Sequence, residues 1–355
     1  MSDLPEVLRA ELDALSNHYD SFERNDRGAN GYLLFARNKV TGAQIAIKFY
    51  AGAPGETRHD EPKQLSAIRS GNVLPILDAR NISDEWGYFI TPRCFEGDVD
   101  DLVATQPSVL SAIDVALGIC NGVSAIHKMK MVHRDLKPGN IVLLHGTPQI
   151  ADFGSVRQFS ETGAVSASQH SVLFRPPESF ASGQYNEQGD IYQLGLVTYQ
   201  LLGGVLAYDG ELYLTTQQKK NYLAITDPVD RSIFVDTVIR DRSERGKLLD
   251  FNSFPPWING SAKRLLRSIV HPDPSQRMRT VGDVGAALTQ IRASMANWSW
   301  DGDTARLITG DRTIELRPNL DESAIYEPYL SKSGGAFRKV PNLVPTTLSV
   351  LVTKF

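Results

Sequence analysis

Disulfides cannot organise this chain, because it has only two cysteines, Cys94 and Cys120, among 355 residues, too few for a cross-linked framework. A dominant charge is also missing. With 37 Lys and Arg against 41 Asp and Glu, the formal net charge is −4, which offers nucleic acid or anionic lipid no global attraction. Any phosphate must therefore be bound locally. The opening residues, MSDLPEVLRAELDAL, are acidic and amphipathic where an export signal would be basic and then apolar, so none is expected. The apolar stretch at 194–208 is interrupted by Thr198, Gln200 and Gly203 and is short for a bilayer. Repeats and low-complexity segments are lacking too. What remains, 41% hydrophobic residues, is enough for a full core. The expectation is a cytoplasmic globular protein with no nucleic-acid partner and no membrane insertion.

The patterning divides the chain into four parts: 1–18, 19–91, 92–296 and 297–355. Leu4, Leu8, Leu12 and Leu15 recur at helical spacing in the first. Across 19–50, short apolar runs broken by turn residues predict antiparallel strands. A helix is predicted over 57–69, with Leu65 and Ile68 on one face, followed by strands at 73–78 and 86–91. Beyond Pro92 the apolar residues fall three and four apart, predicting helices over 101–128, 190–202, 261–270 and 281–293. A sheet-rich lobe thus precedes a helical one, and a crevice between such lobes is the natural ligand site. After 297 the alternation in TARLITG, RTIELRP and TTLSVLV predicts a small strand-rich appendage. Its aromatics Trp298, Trp300, Tyr326 and Tyr329 either pack it on the helical lobe or anchor a partner.

The densest polar constellation is His133-Arg134-Asp135-Leu136-Lys137-Pro138-Gly139-Asn140. Pro138 and Gly139 argue against a helix there. On such a loop Asp135 can accept a proton from a hydroxyl nucleophile, Lys137 can neutralise phosphate, and Asn140 offers oxygen to a hard cation. The bland alternative is an Asp/Asn-rich turn. Asp152, in Ala151-Asp152-Phe153-Gly154, follows an apolar strand and is a second metal-ligand candidate. Upstream, Gly28 and Gly31 sit between two strands, and Lys48 lies inside the apolar run QIAIKFY. A lysine there needs an anionic partner, and Glu61 is the nearest well-placed acid.

Taken together, these elements resemble the protein kinase family: a glycine-rich turn, the strand lysine of AIK, a helix glutamate, HRDLKPGN, DFG, a Pro-Pro-Glu triplet and a later Asp and Arg. The resemblance spans about residues 19–293 and implies an α+β, bilobal fold: an antiparallel sheet plus helix in the first lobe and a mainly helical second lobe. It implies ATP and Mg²⁺ as cofactors and transfer of the γ-phosphate to protein Ser/Thr hydroxyls, with Lys137 two residues after Asp135 matching the serine/threonine branch. Position by position, Asp135, Lys137 and Lys48 take the catalytic roles, and Asn140 and Asp152 the metal. Gly28, Gly31, Leu33, Ala46, Lys48, Glu61, Thr91, Cys94 and Val142 surround the nucleotide. Glu178 and Arg277 match a buried bracing pair, Asp190 the holder of the catalytic loop, Ser171 a hydroxyl touching that loop, and His133 a structural role stacked with Phe153. His127 and Cys120 read as core.

The glycine turn departs from the family pattern, since Asp26 stands where the first glycine belongs, and Pro62 follows Glu61 at once; Glu56 is the substitute acid. Arg134 and Arg157 place two cations near one loop, so phosphorylation at Ser166 or Ser168, with Ser160 and Thr162 as runners-up, is the expected ordering event. A pseudokinase-type scaffold and a small-molecule phosphotransferase are the rival readings. The Pro-Pro-Glu segment with its arginine partner speaks against the latter.

Overall fold

The computed structural model describes residues 4–25, 32–51, 60–158, 165–166, 172–322 and 324–355, with the backbone alone at 60, 61, 158, 165 and 166. The first lobe is built on α1 (Glu6–Leu15), β1 (Tyr19–Asn25), β2 (Tyr32–Asn38), β3 (Gln44–Ala51), α2 (Asp60–Ala67), β4 (Asp78–Asn81) and β5 (Trp86–Pro92). Its strands form one antiparallel sheet in the order β1-β2-β3-β5-β4. Because side chains alternate along a strand, register decides each face. Leu34, Ile47 and Ile90 are cross-strand partners on one face, which is covered by Leu4, Leu8 and Leu15 at the start of the chain. Leu33, Lys48 and Phe89 align on the other, as do Phe35, Ala46 and Thr91. That second face looks into the crevice.

The second lobe begins with α3 (Val99–Ala104) and α4 (Val109–Lys128), where one helix is predicted from sequence. Pro107 supplies the reason: it forbids a continuous hydrogen-bond ladder, and Ser108 caps the new helix. By length and composition α4 could cross a bilayer; here it is the central helix of the lobe, with side chains such as Ile113, Ile119 and Val123 fully buried. Gly118 and Gly122 let it approach its neighbours closely. A Cβ at Gly122 would lie 2.5 Å from the Asn72 carbonyl oxygen.

Short pairs follow. β6 (Met131–Val132) lies against β9 (Arg157–Gln158), β7 (Ile141–Leu144) against β8 (Thr147–Ile150), and β10 (Val165–Ser166) against β11 (Gln184–Tyr185), with α5 (Pro177–Ser182) just before β11. Then come α6 (Glu187–Leu201), α7 (Thr216–Ala224), α8 (Pro228–Glu244), α9 (Gly260–Ile269) and α10 (Val281–Ser294). Sequence periodicity misses α7 and α8 because they are mostly solvent-facing: α7 buries no residue, and α8 only Val238, Ile239 and Ser243. The predicted strand at 73–78 is also absent; Val73 makes a single parallel bridge to Ile150, and β4 starts at Asp78.

The chain closes with a five-stranded antiparallel meander, β12 (Trp298–Asp301), β13 (Thr304–Thr309), β14 (Arg312–Pro318), β15 (Tyr326–Lys332) and β16 (Arg338–Lys339). TTLSVLV is not a strand but ends in helix α11 (Leu348–Val352). Leu348, Leu351 and Val352 are spaced for one helix face as well as for alternation, and the short run does not distinguish the two. Trp298 is 2% exposed and stacks on Trp257 of the helical lobe at 5.8 Å, with Trp300 4.9 Å away. Ala305, Leu307 and Leu316 join the same continuous core, so these aromatics pack the sheet onto the lobe.

Candidate active site

The loop after β6 is held by one carboxylate. Asp190, wholly buried in the first turn of α6, accepts from the backbone N–H of His133 (2.9 Å) and Arg134 (2.9 Å), from His127 Nε2 (2.8 Å) and from the Tyr185 hydroxyl (2.9 Å). Burial pushes its carboxyl up, but the hydrogen bonds from His127 and from the Arg134 backbone help outweigh it and hold the group below the usual carboxylate range. His127 is therefore a ligand of this anchor and not merely core. Cys120, by contrast, is core alone, its thiol pushed up to about 12 by burial.

Asp135, 7% exposed, follows this anchored stretch. Its Oδ2 accepts from Lys137 Nζ at 2.9 Å and from Asn140 Nδ2 at 2.9 Å, and its carbonyl oxygen takes a second bond from Asn140 Nδ2 at 2.7 Å. With Nδ2 committed inward, Asn140 has its amide oxygen to offer outward. His133 is fully buried; its Nε2 donates to the Ala151 carbonyl (3.1 Å), its Nδ1 accepts from the Asp135 N–H (3.4 Å), and its ring meets Phe153 edge-on at 5.4 Å. It is a structural link between the two loops, and its ring partner Phe153 belongs to the core that also holds Leu65.

Asp152 sits in the left-handed region at φ 56°, a conformation that turns its side chain out of the strand path. Its Oδ1 accepts from Lys48 Nζ at 3.2 Å. Burial raises the Asp152 pKa, while Lys48, His133 and Lys137 lower it, and the net shift is downward. Two residues 104 positions apart are thus joined across the lobes. Glu61, the partner expected for Lys48, has its side chain outside the described residues, as do Gly28, Gly31, Asp26, Glu56, Ser160, Thr162, Ser168 and Ser171; of Ser166 only the backbone, in β10, is described.

The remaining nucleotide candidates line the approach. Ala46 is 8% and Thr91 5% exposed; they are cross-strand partners on the crevice face, with Leu33 opposite Lys48. Thr91 Oγ1 donates to the Pro92 carbonyl at 3.3 Å. Cys94 is half-buried, its thiol pushed up to about 11 by burial and by Glu96. Val142, on β7, bridges to Asp98 at the start of α3, within the second lobe. The geometry therefore assembles a carboxylate beside an ammonium and an amide, facing a second carboxylate gripped by a lysine, below an apolar slot.

Two supports surround this centre. Arg277, with its side chain fully buried, spends all five N–H donors: on both Glu178 oxygens (2.7 and 2.6 Å) and on the carbonyls of His271, Gln188 and Pro272. Arg134 Nε donates to the Ser155 carbonyl at 2.5 Å, and its pKa is pushed down to about 10 by burial and by the Arg157 cation. Arg157 Nη1 turns to the carbonyls of Gly154 and Val156. Sequence reasoning does not find Tyr185 or Gln193, both buried beside the loop; tyrosine and glutamine in apolar surroundings give no motif.

Comparison with known proteins agrees with this geometry. The protein kinase domain family matches residues 23–286. Curated relatives include the serine/threonine-protein kinase drp72 of Corynebacterium efficiens, 25% identical over 287 residues, covering 75% of this chain and 49% of the relative. PknA of Corynebacterium glutamicum is 32% identical over 203 residues, covering 52% and 42%. PrkC of Bacillus subtilis is 30% identical over 195 residues, covering 52% and 30%. The chain spans about half the length of these relatives, or less.

Proposed function

Because this chain belongs to the protein kinase family, we propose that it transfers the γ-phosphoryl group of ATP to serine or threonine hydroxyls of protein substrates. The observation that carries this reading is the convergence of Lys137 and Asn140 on one oxygen of Asp135, with the Lys48–Asp152 ion pair joining the two lobes nearby. In this reading Asp135 accepts the proton of the attacking hydroxyl and aims it, while Lys137 balances charge on the phosphoryl group as it moves. Lys48 grips the non-transferred phosphates. The adenine lies between Leu33 and Ala46 above and Val142 below, with Thr91 at the back and Cys94 in the connecting strand.

Asn140 and Asp152 fit magnesium: the donors are oxygens, the carboxylate is held ionised, and Mg²⁺ binds through one or two carboxylates plus substrate phosphates. Bound there, the ion would neutralise phosphate charge. Catalysis by the chain itself is then mainly positioning and electrostatics. Arg134 and Arg157, two neighbouring cations of which Arg134 has its pKa depressed by burial and then by the Arg157 field, support phosphorylation in the segment between Ser155 and Val172, by the enzyme itself. The relatives' shared description as serine/threonine kinases supports the acceptor class.

Radiolabelled ATP, magnesium and a basic acceptor protein test the proposal. Label on Ser or Thr of the acceptor that vanishes in Lys48→Met and Asp135→Asn is expected. ATP binding without transfer, in the parent chain and with several acceptors, would replace this reading by a scaffold.

A further inference from the structure

Helix α6 is buried from Gly189 to Leu201, and one polar side chain on it reaches between two loops. Gln193 is 2% exposed. Its Oε1 accepts from the Leu136 N–H at 2.9 Å and shares the single Tyr185 hydroxyl proton (2.8 Å) with Asp190; its Nε2 donates to the Arg134 carbonyl at 3.2 Å and to the Phe174 carbonyl at 3.1 Å. Both Nε2 protons have backbone carbonyl acceptors, and Oε1 has a backbone N–H donor. Three of the partners are backbone, and two of these, Arg134 O and Leu136 N, belong to the peptides on either side of Asp135. The third, Phe174 O, ends the single turn Val172–Phe174 that leads into Pro176, Pro177 and Glu178.

Asp190 fixes the same loop only upstream, through the N–H groups of His133 and Arg134. Arg134 itself stands at φ 69°, a left-handed backbone that a residue with a side chain keeps only where its neighbours hold it. Gln193 closes the downstream side. Its two Nε2 protons point at two different segments, and a buried N–H that loses its acceptor is costly. If the Val172–Phe174 turn withdraws, the amide has one proton without a partner, and its terminal torsion is soft. Turning to repair that loss would release Arg134 O and Leu136 N together.

We propose that Gln193 is a positioning residue that makes the placement of Asp135 conditional on the docking of the Val172–Phe174 segment, so that substrate-side order and the base are set by one side chain. The proposal rests on the reading of Asp135 as the base.

Two full-chain variants test it: Gln193→Met, of similar volume without hydrogen-bonding groups, and Gln193→Ser, which leaves room for water at the abandoned backbone groups. Thr198→Val is the control, since it removes a buried hydroxyl on the same helix that bonds the Leu194 carbonyl and neither loop. In folded Gln193 variants kcat should fall at least about tenfold, as small misplacements of reacting groups do, while KM for ATP stays within about twofold because Lys48, Ala46 and Thr91 are untouched. Thr198→Val should keep kcat within about threefold. Hydrogen exchange read by mass spectrometry should accelerate together in peptides covering 131–144 and 172–182, by at least about tenfold. Undiminished kcat in both folded Gln193 variants, kcat and KM for ATP worsening in parallel, or exchange that accelerates in only one segment would overturn the proposal. If the parent chain transfers no phosphate, the proposed function fails, and the exchange measurement still decides whether Gln193 couples the two segments.

Discussion

Glu178→Gln is the sharpest test of how the helical lobe is braced. The change keeps the shape of the side chain and removes its charge, leaving the Arg277 guanidinium fully buried with no carboxylate and with an NH₂ group facing one of its own N–H donors. Breaking a buried pair from one side typically costs about 3–5 kcal/mol, because the surviving charge is neither paired nor solvated. The three backbone carbonyls on Arg277 remain and argue for the lower half of that range. At about 2.1 cal/mol/K per residue, 355 residues carry about 0.75 kcal/mol/K of unfolding entropy, so a loss of about 4 kcal/mol lowers the thermal midpoint by about 5 °C. Calorimetry on parent and variant measures it. Salt is the internal control: the difference should persist between low salt and about 0.5 M, since buried charges are poorly screened. Asp114→Asn, which breaks the exposed pair with Arg292, should leave the midpoint almost unmoved. A Glu178→Gln midpoint within about 1 °C of the parent, or a difference erased by salt, would refute the reasoning.

Other perturbations follow from the same contacts. Lys48→Met should lower phosphoryl transfer by about a hundredfold or more, since it removes one charge from an electrostatic site; steady-state kinetics at saturating ATP checks it. Asp190 has a folded pKa below its ordinary 3.8, so it contributes stability that is present above that value and lost as pH falls through the folded pKa. Urea unfolding from pH 5 to pH 2 should therefore show a shallower acid limb for Asp190→Asn than for the parent, and identical slopes would be the contrary result. Trp298→Ala, which empties a site shared by both parts of the core, should cost about 3–5 kcal/mol in chemical denaturation. Gly122→Ala should cost about 1–3 kcal/mol, because the obstacle is the Asn72 backbone and cannot swing away.

Much of the candidate site is legible in the sequence because its residues come in clusters whose composition suits no core. Asp135, Lys137 and Asn140 announce a polar loop, and Asp152 before Phe153-Gly154 a turn. A lysine inside QIAIKFY cannot be explained by packing. What the sequence does not reveal is long-range or disguised. The Lys48–Asp152 contact spans 104 positions, and spacing along the chain points to local acids first. Gln193 stands in a helix otherwise read by its apolar residues, where a lone amide looks like an interruption, and its meaning lies in four partners from three other segments. His127 passes for a core residue for the same reason. Secondary structure fails where burial gives no rhythm, as in α7, or where a short run fits two periods, as in TTLSVLV.

Helix α1 closes the far side of the first-lobe sheet, with Leu8 completely enclosed against Leu34, Ile47 and Tyr88. The opposite face, the one bearing Lys48, is the one joined to the second lobe. Cargo joined ahead of α1, such as a purification tag or a fluorescent reporter, would ride on the roof of the first lobe, on the side away from Lys48. Trimming the chain to begin at β1 would do the opposite: it would strip the roof, wet an aliphatic surface, and turn the upper lobe into a sticky half-sandwich.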